Sequence, residues 1–148
     1  MTGFERIIVA FDGSEDSMKA ARLACSLAGR FGSEVVMVHV YSFAVFAYAG
    51  STPMPMPDVQ PLEEAANAKG RSVLDRGLEV AKSEGVTARG ELIEAPSIVQ
   101  AILEYSEEQK ADLIVVGTKG TTGFRRLVMG SVSSGLAGHA RCPVLVVR

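Results

Sequence analysis

Cysteine, histidine, long apolar runs and an excess of charge of either sign are all scarce in this chain. Two cysteines, Cys25 and Cys142, are too few for a disulfide framework or a structural zinc site, and the two histidines, His39 and His139, stand apart from them. That usage points to a reducing cytoplasm. The most apolar window, 35–50, is interrupted by His39 and Ser42 and falls short of the roughly 20 residues that span a bilayer. The N-terminus sets Glu5, Arg6 and Asp12 around a short apolar run, without the basic start, long greasy stretch and cleavage site of a secretory signal. The expectation is a soluble protein with no membrane partner. With 15 Lys+Arg against 17 Asp+Glu, the net charge of -2 gives no global reason to expect nucleic-acid binding.

What is present suits one folded domain spanning 1–148, since 148 residues at 47% hydrophobic content can bury a real core and exclude an intrinsically disordered chain. The net charge conceals an asymmetry. No acidic residue follows Asp112, whereas Lys119, Arg125, Arg126, Arg141 and Arg148 all do, so a local anion site in the C-terminal quarter competes with ordinary uneven surface charge.

Short β-branched apolar segments alternate with helical periodicity along the chain. Arg6 to Phe11 reads as a strand buried on both faces, ended by Asp12-Gly13-Ser14. Ser14 or Asp12 then caps a helix with Ala20, Ala24, Leu27, Ala28 and Phe31 at helical spacing, and Gly32 marks its end. Glu34 to Tyr41 is a second buried strand. Residues 43–61, with Pro53, Pro55, Pro57 and Pro61, are expected to be neither helix nor central strand. Helical periodicity resumes from Leu62 to about Ser83, and Val86 to Ile93 reads as a more polar edge strand. Pro96-Ser97 opens a helix with Ile98, Val99, Ile102 and Tyr105 on its apolar face, followed by a buried strand from Asp112 to Gly117. A last short helix over 130–140, with Val132, Leu136 and Ala140 inward, precedes a closing strand, Val144 to Val147. This alternation predicts an α/β fold with a parallel sheet and helices on both faces.

Ligands of open α/β sheets collect beyond the carboxyl ends of the strands, where loops converge. The loop after the fourth strand contains Gly117, Gly120 and Gly130-Ser131, which permit close backbone approach and lead into a helix whose first N–H groups point outward. Ser131 and Ser133 add hydroxyls there, and Lys119, Arg125 and Arg126 can screen a polyphosphate. The competing account is a glycine-rich turn with Ser131 as an N-cap and solvated arginines. No G-x4-G-K-[ST] string occurs, so a Walker-type loop is absent. Asp12 suits either a Mg²⁺ or ribose contact or a helix cap, and His39 suits a satisfied core position.

The spacing Gly117-x2-Gly120-x9-Gly130-Ser131 resembles the nucleotide motif of the ATP-binding universal stress proteins. The opening Ile7 to Ser14 and the ending His139 to Val147 are similar to that family's first strand and closing segment, so the resemblance covers the whole chain. It implies an open, Rossmann-like five-stranded parallel sheet of order 3-2-1-4-5 with ATP or AMP, and Mg²⁺ carried with the nucleotide, across the carboxyl ends of strands one and four. It places Ala10, Phe11 and Asp12 near adenine and ribose, Val40 against the base, Gly117, Lys119 and Gly120 along ribose and phosphates, and Gly130, Ser131, Val132 and Ser133 on the phosphate chain. Where some members have proline and threonine before the aspartate, this chain has Ala10 and Phe11.

The function this implies is a nucleotide-binding regulatory or stress-response module, compatible with slow hydrolysis or autophosphorylation. No general base, paired carboxylates or metal cluster can be placed around a γ-phosphate from the sequence. Two other classes compete. Asp12-Gly13-Ser14-Glu15-Asp16-Ser17 partly resembles the phosphate loop of ATP-consuming pyrophosphatase-loop enzymes, which would put the phosphates on Ser14 and Ser17. A dimer scaffold without nucleotide is the other, and in either case the apolar strand Val144 to Val147 is expected to pair with its copy in a homodimer.

Overall fold

The alternation of β-branched runs and amphipathic segments is realised, among the described residues, as five strands and four helices. A computed structural model describes residues 3–42, 60–118 and 129–148. Strands β1 (Arg6–Ala10), β2 (Glu34–Tyr41), β3 (Ala88–Glu94), β4 (Leu113–Gly117) and β5 (Val144–Val147) alternate with helices α1 (Glu15–Phe31), α2 (Gln60–Ser83), α3 (Ile98–Glu108) and α4 (Ser131–His139). The strands form one sheet of order β3-β2-β1-β4-β5, and every pairing is parallel. Strand order reverses between β1 and β4, which is where such sheets open a crevice.

Strand periodicity divides the core in two. Ile7, Val9, Val35, Met37, Leu113 and Val115 face α1 and α2, whereas Ile8, Ala10, Val36, Val38, Ile114 and Val116 face α3 and α4. Helix α1 presents small residues, Ala20, Ala21, Ala24 and Ala28, and so lies close to the sheet; burial there pushes the Cys25 thiol up to about 11. It starts at Ser14, whose side chain accepts from the Ser17 N–H, and ends at Gly32 in the left-handed conformation.

Several boundaries differ from the periodicity reading, each for a local reason. Helix α2 begins at Gln60 and includes Pro61, because the first turn of a helix needs no N–H from its proline; residues 43–59 lie outside the described ones. Strand β3 runs two residues later than expected at its start and one later at its end. Phe31 is 49% exposed at the end of α1, where its ring meets Phe4 edge-on with centroids 5.4 Å apart. On α4 the buried residues are Ser133 and Leu136, with Val132 and Ala140 only partly covered.

The amino ends of the strands are tied by charge. Glu34 accepts from Arg6 Nε at 2.9 Å and from Arg89 Nε at 2.8 Å, which links β1, β2 and β3. Arg89 also donates to Tyr105 Oη and to Gln109 Oε1, both at 2.9 Å, and Arg6 donates to the Gln109 carbonyl, so the end of α3 is pinned to the same cluster. Asp112 accepts from the Glu5 and Arg6 N–H groups at 2.9 Å. Arg89 and then Arg6 hold the Glu34 carboxyl below its ordinary range.

A carboxylate with a lowered folded pKa contributes stability above its unfolded value, and that contribution is lost as pH falls through the folded value. Glu34 is 40% exposed, so the network contributes about 0.5–1 kcal/mol. Glu34→Gln is expected to lower the melting temperature by about 1–4 °C at pH 7, with the two proteins converging at a pH low enough to protonate the folded Glu34 carboxyl. An equal deficit at both pH values, read by thermal denaturation, would count against the charge network as its cause.

Candidate functional site

The carboxyl ends of β1, β2 and β4 converge with the starts of α1, α3 and α4 on a cleft of about 290 Å³. That volume lies at the lower end of the range usual for small-molecule sites, about 300–1,000 Å³. The end toward β2 and α3 is apolar, with Val38 and Val40 from the strand and Ile98 and Ile102 from the helix. The end toward α4 carries the polar groups Thr118, Ser131 and Ser133, with Val132 among them, and Asp12 and Val116 come from the carboxyl ends of β1 and β4.

The polar end is shaped by two glycines. A Cβ at Gly117 would lie 2.8 Å from the carbonyl carbon and the Cβ of Asp16, so only glycine lets β4 end against the first turn of α1. There Thr118 Oγ1 donates to Asp16 Oδ2 at 3.0 Å, both residues being buried. A Cβ at Gly130 would lie 2.7 Å from the Thr118 carbonyl oxygen, and the Gly130 N–H donates to that oxygen with N···O of 2.6 Å. The two ends of the glycine-containing connection are thus clasped together. Ser133, buried one turn into α4, donates to the Gly130 carbonyl at 3.0 Å, with Thr118 O at 3.4 Å.

These bonds decide which donors remain for a ligand. The Gly130 N–H and the Ser133 hydroxyl proton serve the clasp. Gly130, not Ser131, is the N-cap of α4, and no side chain caps it. The Ser131 and Val132 N–H groups precede the first intrahelical bond, Ser134 N–H to Gly130 O, and carry the positive end of the helix dipole into the cleft beside the Ser131 hydroxyl.

The start of α1 is arranged in the opposite way. Asp12 Oδ1 accepts from the Ser14 N–H at 2.9 Å, Ser14 Oγ accepts from the Ser17 N–H at 3.2 Å, and Ser17 Oγ donates to the Ser14 carbonyl at 2.9 Å. Its own side chains occupy the donors that a pyrophosphatase-type loop would offer to phosphate. The capping role falls to Ser14, and Asp12 braces the turn before it.

The residues that the family resemblance singles out line this one cleft, apart from Lys119 and Gly120, which lie outside the described residues with Arg125 and Arg126; of the alternative loop, Ser17 lines it and Ser14 does not. Phe11 contributes backbone only, because its ring is buried between α1 and α2, in contact distance of Gly77. Of the cationic C-terminal residues, Arg141 pairs with Glu107 at 3.3 Å, away from the cleft lining. Sequence reasoning missed Val38, Ile98, Ile102, Val116 and Thr118 as lining residues, named Ser17 only for the alternative loop, and assigned His39 to the core alone. His39 is half-buried; its Nδ1–H donates to the Phe11 carbonyl at 2.9 Å, and burial pushes its pKa down, so it is neutral. Among the described residues no group of three or more His, Cys, Asp or Glu could hold a metal ion, and no helix is long and apolar enough to cross a membrane.

The sequence model of the universal stress protein family matches residues 3–148. A universal stress protein of Methanocaldococcus jannaschii is 33% identical over 148 residues, covering 98% of this chain and 82% of its own length. The universal stress protein YxiE of Bacillus subtilis is 33% identical over 149 residues, covering 98% and 99%. Three solved structures share the fold: a universal stress protein in complex with cAMP (TM-score 0.73, 24% identity, 99% of both chains), one from Archaeoglobus fulgidus in complex with dAMP (0.70, 17%, 100% of both), and one from Arabidopsis thaliana with AMP bound (0.67, 19%, 97% and 90%).

The contact at Gly117 is with backbone, which cannot swing aside. Gly117→Ala is therefore expected to cost about 1–3 kcal/mol of stability in urea denaturation, whereas Gly138→Ala, with open space around the added methyl, is neutral or stabilising. Equal stability of the two variants would mean that β4 and α1 are not so closely joined.

Proposed function

The chain belongs to the universal stress protein family, and from that premise we propose that it is a regulatory module of the stress response that binds an adenine nucleotide, ATP or AMP, in the cleft between β1 and β4. The observation that carries this reading is the uncapped start of α4, with its Ser131 and Val132 N–H groups, facing an apolar slot across the same cleft. A phosphate takes the helix end and a base takes the slot. The solved relatives named above as complexes with cAMP, dAMP and AMP support the same ligand class.

In this reading the whole chain, 1–148, acts as one nucleotide-binding domain in the cytoplasm. Ala10, the Phe11 backbone and Asp12 border adenine and ribose, and Val40 packs on the base. Gly117, Lys119 and Gly120 follow ribose and phosphates, Ser131 and Val132 bind phosphate, and Gly130 and Ser133 hold Thr118 against the start of α4. A Mg²⁺ ion would arrive on the phosphates, with Asp12 as its carboxylate ligand from the cleft lining. The module binds nucleotide, and slow hydrolysis or autophosphorylation is compatible with this reading; Asp12 Oδ1 and His39 Nδ1 are both engaged with backbone groups.

Isothermal titration of nucleotide-stripped protein tests this reading. Adenine nucleotides are expected to bind in preference to GTP, and Ser131→Ala to weaken them by about 10-fold, the loss of one hydrogen bond to a charged group. Ser14→Ala is expected to change stability more than affinity. No binding by well-folded protein would replace this reading with the dimer scaffold, and affinity lost at Ser14 and Ser17 instead would favour the pyrophosphatase-type loop.

The second part of the proposal is a homodimer through β5. This four-residue strand bonds to β4 on one side, and its four residues are only half-buried, so a second copy could satisfy its outer backbone groups and cover Val144 to Val147. Sedimentation at micromolar concentration should give a dimer, and Val146→Lys should shift it to monomer. A wild-type monomer would remove this part.

A further inference from the structure

Three large apolar side chains are exposed among the described residues: Leu23 at 38%, Phe31 at 49% and Ile98 at 43%. Of these, Ile98 lines the cleft. Its position explains the exposure. Helix α3 starts at Ile98, just after the Ser97 cap and beyond the carboxyl end of the sheet, so one turn later Ile102 is buried on the strands while Ile98 overhangs the cavity. The pair stands at i and i+4 on one face of α3, and both side chains line the same cleft as Val40.

We infer that Ile98 is a specificity-determining residue for the nucleotide, closing the apolar slot over the face of the base opposite Val40. This rests on the adenine-nucleotide reading above and adds to it the residue that selects a flat heteroaromatic ring. The argument is one of differential burial. Without ligand, Ile98 leaves 43% of its surface in water. With a base in the slot, its side chain is covered, and the apolar area removed from water appears as binding free energy. The polar end anchors any phosphate through α4, and it does so without regard to the base. Selection for the ring therefore falls on the apolar end, where Val38 and Ile102 are already packed into the core and Ile98 supplies the exposed wall.

The test compares wild type with Ile98→Ala and Ile98→Leu, measuring the melting temperature without ligand and AMP affinity by calorimetry. Ile98→Ala is expected to melt within about 2 °C of wild type, as a surface substitution does, and to bind AMP roughly 10-fold more weakly, the loss of a hydrophobic pocket contact. Ile98→Leu should restore affinity to within about 3-fold. Unchanged AMP affinity in Ile98→Ala would overturn the inference and leave the nucleotide reading standing. A fall in ligand-free melting temperature that accounts for the lost affinity would overturn it as well, by making Ile98 a packing residue. If wild type itself fails to bind AMP, the nucleotide reading falls first and this inference with it.

Discussion

The hydrogen bond from the Gly130 N–H to the Thr118 carbonyl is the constraint on which the cleft depends. It joins the end of β4 to the start of α4 across the intervening loop, and it is short enough that only a residue without Cβ fits at 130. Thr118 is held from two other directions: its N–H donates to the Val147 carbonyl on β5 at 3.0 Å, and its hydroxyl donates to Asp16 on α1. One residue thus fixes the edge strand, the first helix and the last helix relative to one another. Because the cap position is taken by glycine, the next N–H groups of α4 have no capping side chain among the described residues.

Helices α1 and α4 follow the two strands that flank the β1/β4 switch, β1 directly and β4 after the glycine-containing connection, and sequence chemistry decides which of them keeps open donors at its start. Helix α1 has Asp12, Ser14 and Ser17 in its approach and first turn, and these side chains close its N-terminus on itself. Glu15 and Asp16 add negative charge to its first turn, which opposes a second anion there. Helix α4 has no acidic residue in its first turn and no capping side chain. The same physical device, a helix N-terminus at a strand end, is thereby spent on stability in one case and left available in the other.

Most of the architecture was legible in the sequence because strand and helix periods are strong signals in a two-faced parallel sheet. The runs Glu34 to Tyr41 and Val144 to Val147 were placed to the residue, and the family resemblance gave the strand order. The cleft was legible where glycine spacing and strand ends mark it, as at Gly117, Gly130 and Val40. What stayed hidden were features created by tertiary contact. Ile98 reads as one more apolar position on the inner face of α3, and only the place where the sheet stops makes it a cavity wall. His39 reads as core, and it is core on one side, yet its bond to the Phe11 carbonyl sets it at the cleft. The division of labour within Gly130-Ser131-Val132-Ser133 follows from bonds to Thr118, a residue that nothing in the motif singles out.

Among the described residues no buried side-chain polar atom lacks a hydrogen-bond partner. The site is therefore built without a buried polar orphan, whose cost of about 1–3 kcal/mol the fold would have to carry whenever no ligand was bound. Its open donors are backbone groups at a helix end, which water can satisfy in the unliganded protein. Exchanging that water for a phosphate gains a charge-assisted bond and about 0.3–1 kcal/mol from the helix field, a gain available to any phosphate. The apolar slot offers its gain only to a ligand with a surface to bury, at about 25 cal/mol per Å². A nucleotide is the class of molecule that joins the two, and the Thr118 clasp fixes the start of α4 in the same cleft that Val40 and Ile98 line.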